Sequence, residues 1–150
     1  MSRTIILCGG LAVMACACLP VPARADFSGC AAAVAAKDPH QQIDLYTSCL
    51  KHGGLASTDV AGAFNNRGAT HEQLGDTDRA LQDFTAAIQY YPSWAMPYGN
   101  RASIEAGRGD CPAALADTKT ALKYAPHEKQ YLEMRDRLAA NCPIISKAPN

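Results

Sequence analysis

The chain has 150 residues, 48% of them hydrophobic, with 14 Lys and Arg against 14 Asp and Glu and a formal net charge of zero. A balanced charge offers no basic field to gather nucleic acid or an anionic membrane. The length suits one domain with a continuous core.

Residues 1–25 read as a secretory signal. Arg3 is the only charge ahead of an apolar run over residues 5–19, and Pro20 and Pro22 then break any helix. Ala23, Arg24 and Ala25 supply the small-residue pattern that a signal peptidase accepts. The run is too short for a stable transmembrane helix, so no membrane span is expected. Lipoprotein processing at Cys16 is the weaker alternative, because Met14 fits that site poorly. Cleavage after Ala25 removes Arg3 and Arg24 but no acid, leaving a slightly acidic chain from Asp26 onward. It also removes Cys8, Cys16 and Cys18 and leaves Cys30, Cys49, Cys111 and Cys142. An even count in an exported chain implies disulfides, and four cysteines allow three connectivities.

From Asp26 the chain alternates helix and turn. An alanine-rich helix, with Ser28 as its cap, stops at Pro39. A second helix carries Ile43, Tyr46 and Leu50 on one face and ends at Gly53 and Gly54. Ser57, Thr58 and Asp59 read as the cap of a third helix over about 60–74. Gly75 and Asp76 make a turn, Asp76 or Thr77 caps a fourth helix ending near Tyr91, and Pro92 stops it. Phe64, Leu74, Leu81, Phe84, Ile88 and Tyr91 supply the bulk of this pair, and Gly68, Ala80 and Ala87 let its helices cross closely. A fifth helix begins after Ser93 with Pro97 in its first turn, and Asp110 or Cys111 caps a sixth. After Pro126 a charged seventh helix reads as a polar cap on the array, and residues 143–150 as a flexible tail.

The third and fourth helices recur in the fifth and sixth. A shift of 34 residues pairs Asn66 with Asn100, Arg67 with Arg101, Gly75 with Gly109 and Asp76 with Asp110. It also pairs Ala80 with Ala114, Leu81 with Leu115, Asp83 with Asp117, Ala87 with Ala121, Tyr90 with Tyr124 and Pro92 with Pro126. A fixed period of this length marks stacked helix–turn–helix units. The expected architecture is all-α: a short right-handed solenoid of antiparallel helix pairs with a C-terminal capping helix. Its parts are a degenerate first unit at 26–54, units at 61–94 and 95–126, and the cap at 127–142. In antiparallel pairs the start of one helix lies beside the end of the next, which favours Cys30–Cys49 and Cys111–Cys142 among the three connectivities. Each crosslink would contribute roughly 3 kcal/mol in the chain-entropy model.

These residues resemble the tetratricopeptide repeat family. Gly68, Gly75, Ala80, Phe84, Ala87 and Pro92 match its pattern in one unit, as do Gly109, Ala114, Ala121 and Pro126 in the next. Phe64 stands where the family often has Trp, His71 where Tyr is usual, and Ala102 and Thr118 where Gly and an aromatic are preferred. The whole chain also looks like small exported repeat proteins of Gram-negative bacteria, which implies a periplasmic or secreted location. The resemblance implies that the first helix of each unit lines a groove for an extended peptide or a partner helix. Carried onto this sequence, the groove would present Asn65, Asn66, Ala69, Glu72 and Gln73 from the third helix. From the fifth it would present Met96, Gly99, Asn100, Ser103 and Ala106. An amide side chain offers one donor group and one acceptor to a peptide bond, the chemical basis for Asn66 and Asn100 in that role.

Other chemistry finds no constellation in the sequence. His40, His52, His71 and His127 lack metal-ligand spacing, the cysteines lack CxxC spacing, and no serine sits in a nucleophile elbow. The turn at Gly107, Arg108, Gly109 and Asp110 lacks the Lys and Ser/Thr of a phosphate loop. Trp94 and Tyr98 read as packing, and Arg67 and Arg101 as surface side chains. No enzyme, cofactor or metal is expected. A binding module for a protein or peptide partner is the favoured reading, and a structural, self-associating homo-oligomer the alternative.

Overall fold

The computed structural model describes residues 28–142. The expected signal segment 1–25, the alternative site at Cys16, the start at Asp26 and the tail 143–150 lie outside the described residues. Within them the fold is all-α, in seven helices: α1 (Ser28–Ala35), α2 (Pro39–His52), α3 (Ser57–Gln73), α4 (Thr77–Tyr90), α5 (Ala95–Gly107), α6 (Cys111–Tyr124) and α7 (Lys129–Asn141). Consecutive helices pack on each other throughout, and α5 also touches α3 and α7. That is the pattern of a solenoid of helix pairs.

Local chemistry sets the boundaries. Asp38, Asp76 and Asp110 each accept a hydrogen bond of 3.2 Å from the backbone N–H three residues on, at Gln41, Arg79 and Ala113. These bonds satisfy donors that a helix start leaves unpaired. The third helix corrects the sequence reading, because it starts at Ser57 with Ala56 as an N-cap that makes no side-chain bond. Gly75 and Gly109 turn the chain between the helices of a pair with φ of 80° and 77°, a conformation that a side chain disfavours.

Alanine dominates the interior. Ala33, Ala61, Ala80, Ala87, Ala102, Ala114 and Ala121 are all fully buried, and so is Phe84. Such small residues let helices approach closely, and each larger side chain then fills space between neighbouring pairs. Phe84 and Ala80 of α4 pack with Ile104 of α5, and Tyr131 of α7 packs with Ala95 and Ala121. Gly68 and Gly99 are required for this packing. A Cβ at Gly68 would lie 2.9 Å from Phe84 Cε1, and one at Gly99 would collide with the Tyr131 ring. Leu74 and Tyr91, expected to supply bulk, are instead 40% and 39% exposed, since both fall in the turns that follow α3 and α4.

The arginines read as surface side chains are held inside the stack. Arg67 donates to Asp83 through Nε and Nη2 at 2.8 and 2.7 Å and to Thr47 Oγ1 at 2.9 Å, which ties α3 to α4 and α2. Arg101 repeats the device, reaching Asp117 at 2.6 and 2.8 Å and Thr85 at 3.1 Å. The hydrogen bond to Asp117 raises the Arg101 pKa further, with burial opposing it. Each arginine also lies over an aromatic ring, Phe64 or Tyr98, that stacks or tilts against Tyr90 or Tyr124. The cysteines pair as Cys30–Cys49 and Cys111–Cys142, with Cα separations of 5.4 and 5.9 Å.

Candidate functional site

The first helices of successive pairs share one face, and the period of the chain sets its layout. In α3 a stripe spaced three and four residues apart runs through Gly62, Asn66, Ala69 and Gln73. A shift of 34 carries it to Met96, Asn100, Ser103 and Gly107 in α5, and a second shift to Gln130, Met134, Arg137 and Asn141 in α7. The stripes of α5 and α7 meet, since Ser103 of α5 lines one cavity with Met134, Arg137 and Asn141 of α7. The seventh helix is therefore a wall of this face as well as the last helix among the described residues. It carries the third arginine in register, Arg135, which pairs with the adjacent Asp136.

An amide cluster occupies the centre. Asn65 is 2% exposed and accepts a hydrogen bond through Oδ1 from Asn100 Nδ2 at 3.1 Å. Its own Nδ2 points to Asn66 Oδ1 at 3.4 Å and to Met96 Sδ at 3.6 Å. Sulfur here can only accept, which fixes the amide orientation. Asn65 is thus corrected from a presented residue to a buried one that orients its neighbours. Its Oδ1 engages the Asn100 amide nitrogen, and its Nδ2 engages the Asn66 oxygen. That leaves the Asn66 amide nitrogen, a donor, and the Asn100 amide oxygen, an acceptor, without a hydrogen-bond partner among the described residues, on an exposed and a half-buried side chain.

The remaining expected residues separate by exposure. Asn66, Ala69, Gln73, Met96 and Ser103 are exposed, while Glu72, Asn100 and Ala106 are half-buried. Burial raises the Glu72 pKa above the usual carboxylate range. Gly99 is corrected, because it is buried beneath Tyr131 and presents nothing.

A cavity lies at each end of the face. One, of about 220 Å³, is lined by Cys30, Val34 and Tyr46 with Asp59, Gly62 and Asn66. The other, of about 380 Å³, has Met134 and Leu138 beside Arg137, Asn141, Ser103 and the Cys111–Cys142 crosslink. The structure thus adds the Val34, Asp59, Arg137 and Asn141 side chains to the site. A second application of the 34-residue shift could have found the last two of α7, but nothing in the sequence marks Val34 or Asp59.

Away from this face, His71 is buried beside Arg67, Arg79 and Asp83 in a cleft of about 270 Å³. Burial lowers its pKa, with Asp83 and Asp76 opposing. Among the described residues no group of three or more His, Cys, Asp or Glu is placed to hold a metal ion, and no helix is long and apolar enough to cross a membrane.

Comparison with known proteins matches residues 61–94 to the tetratricopeptide repeat. The whole fold is similar to the OM64 TPR domain of Arabidopsis, at 25% identity and a TM-score of 0.66, over 75% of this chain and 90% of that one. It is also similar to the first TPR of Spaghetti (RPAP3), solved with the HSP90 peptide SRMEEVD, at 14% identity and a TM-score of 0.69, over 83% and 97% of the two chains. The second TPR domain of human RPAP3, solved with the HSP70 peptide SGPTIEEVD, gives 21% identity and a TM-score of 0.64, over 77% and 92%.

Proposed function

We propose that this chain, whose residues 61–94 match the tetratricopeptide repeat and whose fold is similar to solved TPR domains, is a non-enzymatic interaction module holding an extended peptide on the face of α3, α5 and α7. The observation that carries the reading is the amide cluster, in which buried Asn65 engages Asn66 Oδ1 and Asn100 Nδ2 and leaves a donor on Asn66 and an acceptor on Asn100 without a partner among the described residues. A peptide unit needs one of each, and side chains pre-set by a buried partner lose less freedom on binding than free ones. Small neighbours at Gly62 and Ala69 leave room for a main chain to approach. The peptide complexes of similarly folded domains support the reading. The location we propose is the periplasm or the extracellular medium, reached by cleavage after Ala25. Its support is the leader pattern together with two crosslinks suited to an oxidising compartment.

The test is selection of a random peptide library on the oxidised protein, followed by titration of a selected peptide against Asn66→Ala/Asn100→Ala. The reading expects a loss of tenfold or more, about 1.4 kcal/mol. Equal affinity in the variant removes the face from the account. Light scattering that reports a stable homo-oligomer with Asn66 and Asn100 protected from solvent would favour the self-associating alternative. Sequencing of the N-terminus after export checks the location, since any start other than Asp26 contradicts it.

A further inference from the structure

The two end cavities carry opposite charge. Among the described residues Asp59 is the one charged side chain lining the cavity between α1 and α3, and Arg137 the one lining the cavity between α5 and α7. Both are exposed, and neither forms an ion pair among the described residues. Glu133, an acid on the same helix as Arg137, is already neutralised by Lys129 at 3.3 Å. Each charge stands beside an apolar surface. Val34, 67% exposed, and Tyr46 lie next to Asp59, and Met134 and Leu138 next to Arg137. Such a corner suits a long charged side chain, whose stem packs on the apolar wall while its head meets the opposite charge.

We infer that the face selects a dipolar peptide, with a basic side chain seated at the α1–α3 end against Asp59 and an acidic one at the α5–α7 end against Arg137. This rests on the proposed peptide-binding function and adds an orientation to it. Two helix spacings of about 10 Å separate the corners laterally, and Asp59, ten residues ahead of Arg137 in the repeat register, lies about 15 Å further along the helix axes at about 1.5 Å per residue, so the charges are roughly 25 Å apart. An extended chain advances about 3.3 Å per residue, which sets the two charges about seven positions apart. The amide cluster lies between them, where the main chain of the peptide would pass. A peptide bound in the reverse direction would set its acid against Asp59 and its base against Arg137.

The probes are two nonapeptides on one Ala/Val/Asn background, with Lys and Glu about seven positions apart in the two opposite orders, and a third with Gln at both positions. Fluorescence anisotropy at low salt is expected to show one order binding about three- to tenfold tighter than the other, the size expected for exposed charge pairs. The preference should collapse in 0.5 M NaCl. In Asp59→Lys/Arg137→Glu it should reverse, with a urea midpoint close to wild type because both side chains are exposed. Equal binding of the two orders, or a swapped variant that keeps the original preference, overturns the inference and leaves the peptide-binding reading standing. Failure of all three peptides to bind overturns the inference, and failure of the library selection to yield any ligand overturns the peptide-binding reading.

Discussion

Gly62 and Gly99 both lie inside helices, yet the structure gives them opposite roles. Replacing glycine by alanine in a helix interior normally stabilises it by about 0.5–1 kcal/mol, because alanine loses less backbone freedom on folding. At Gly62 a Cβ would meet nothing within 4 Å, so Gly62→Ala should gain that full amount. At Gly99 a Cβ would overlap Tyr131 Cε1 and lie 3.1 Å from its Cδ1 and Cζ. The ring cannot swing clear, because it is 4% exposed and wedged against Ala95 and Ala121. Overpacking of this kind costs about 1–3 kcal/mol, so Gly99→Ala should lose up to about 2 kcal/mol net of the helix gain. The assay is urea denaturation with both disulfides oxidised, run as a double-mutant cycle with Tyr131→Leu. Once the ring is gone, Gly99→Ala should become neutral or stabilising. The packing account is refuted if Gly99→Ala stabilises as Gly62→Ala does, or if its effect is the same with and without the Tyr131 ring.

Arg67→Ala should cost about 3–5 kcal/mol in the urea midpoint analysis, since it strands the Asp83 carboxylate at 7% exposure, whereas Arg67→Met/Asp83→Leu should cost far less. Cys111→Ser/Cys142→Ser opens a crosslink with a sequence separation of 31 and should cost about 3–4 kcal/mol by the same denaturation. Glu105 gives a pH signature. Its Oε2 is buried without a hydrogen-bond partner among the described residues, and burial raises its pKa, with Asp117 adding and Arg101 at 3.9 Å opposing. A carboxyl whose folded pKa exceeds its unfolded one supports the fold fully below the unfolded value, near 4.3, and loses that support as pH rises through the folded value. Glu105→Gln should therefore be more stable than wild type at pH 7, with the advantage shrinking towards pH 4 in a stability–pH series.

The fold was legible because a 34-residue period leaves little choice of architecture, and the helix caps at Asp76 and Asp110 announced themselves by residue type. The crosslinks followed from which helix ends an antiparallel pair brings together. What stayed hidden depended on partners remote in sequence. Arg67 and Arg101 recur under the shift together with Asp83 and Asp117, and that joint recurrence was the available sign of a repeated buried bond. Asn65 has no counterpart under the shift, where Gly99 stands, so nothing marked it as the buried centre of the amide cluster. Gly99 itself reads as an open position until Tyr131, on another helix, is seen to cover it. The charged surface of α7 concealed its second role, because Lys129, Glu133 and Asp136 describe its outer side while Met134, Arg137 and Asn141 continue the face shared with α5.

The Arg–Asp bond that recurs from one helix pair to the next makes length a property that can be counted. Arg135 stands in the third register position and pairs instead with the adjacent Asp136, so among the described residues the recurring bond is made twice. Residues 61–94 form one complete period and contain no cysteine. Tandem duplication of that segment would add one helix pair, one more Arg–Asp bond and one more helix along the shared face. It would leave the two terminal crosslinks as they are. The same chemistry would then span roughly 10 Å more, enough for about three further residues of an extended chain. In such an array, the reach of the molecule is set by gene duplication and its ends by sulfur chemistry.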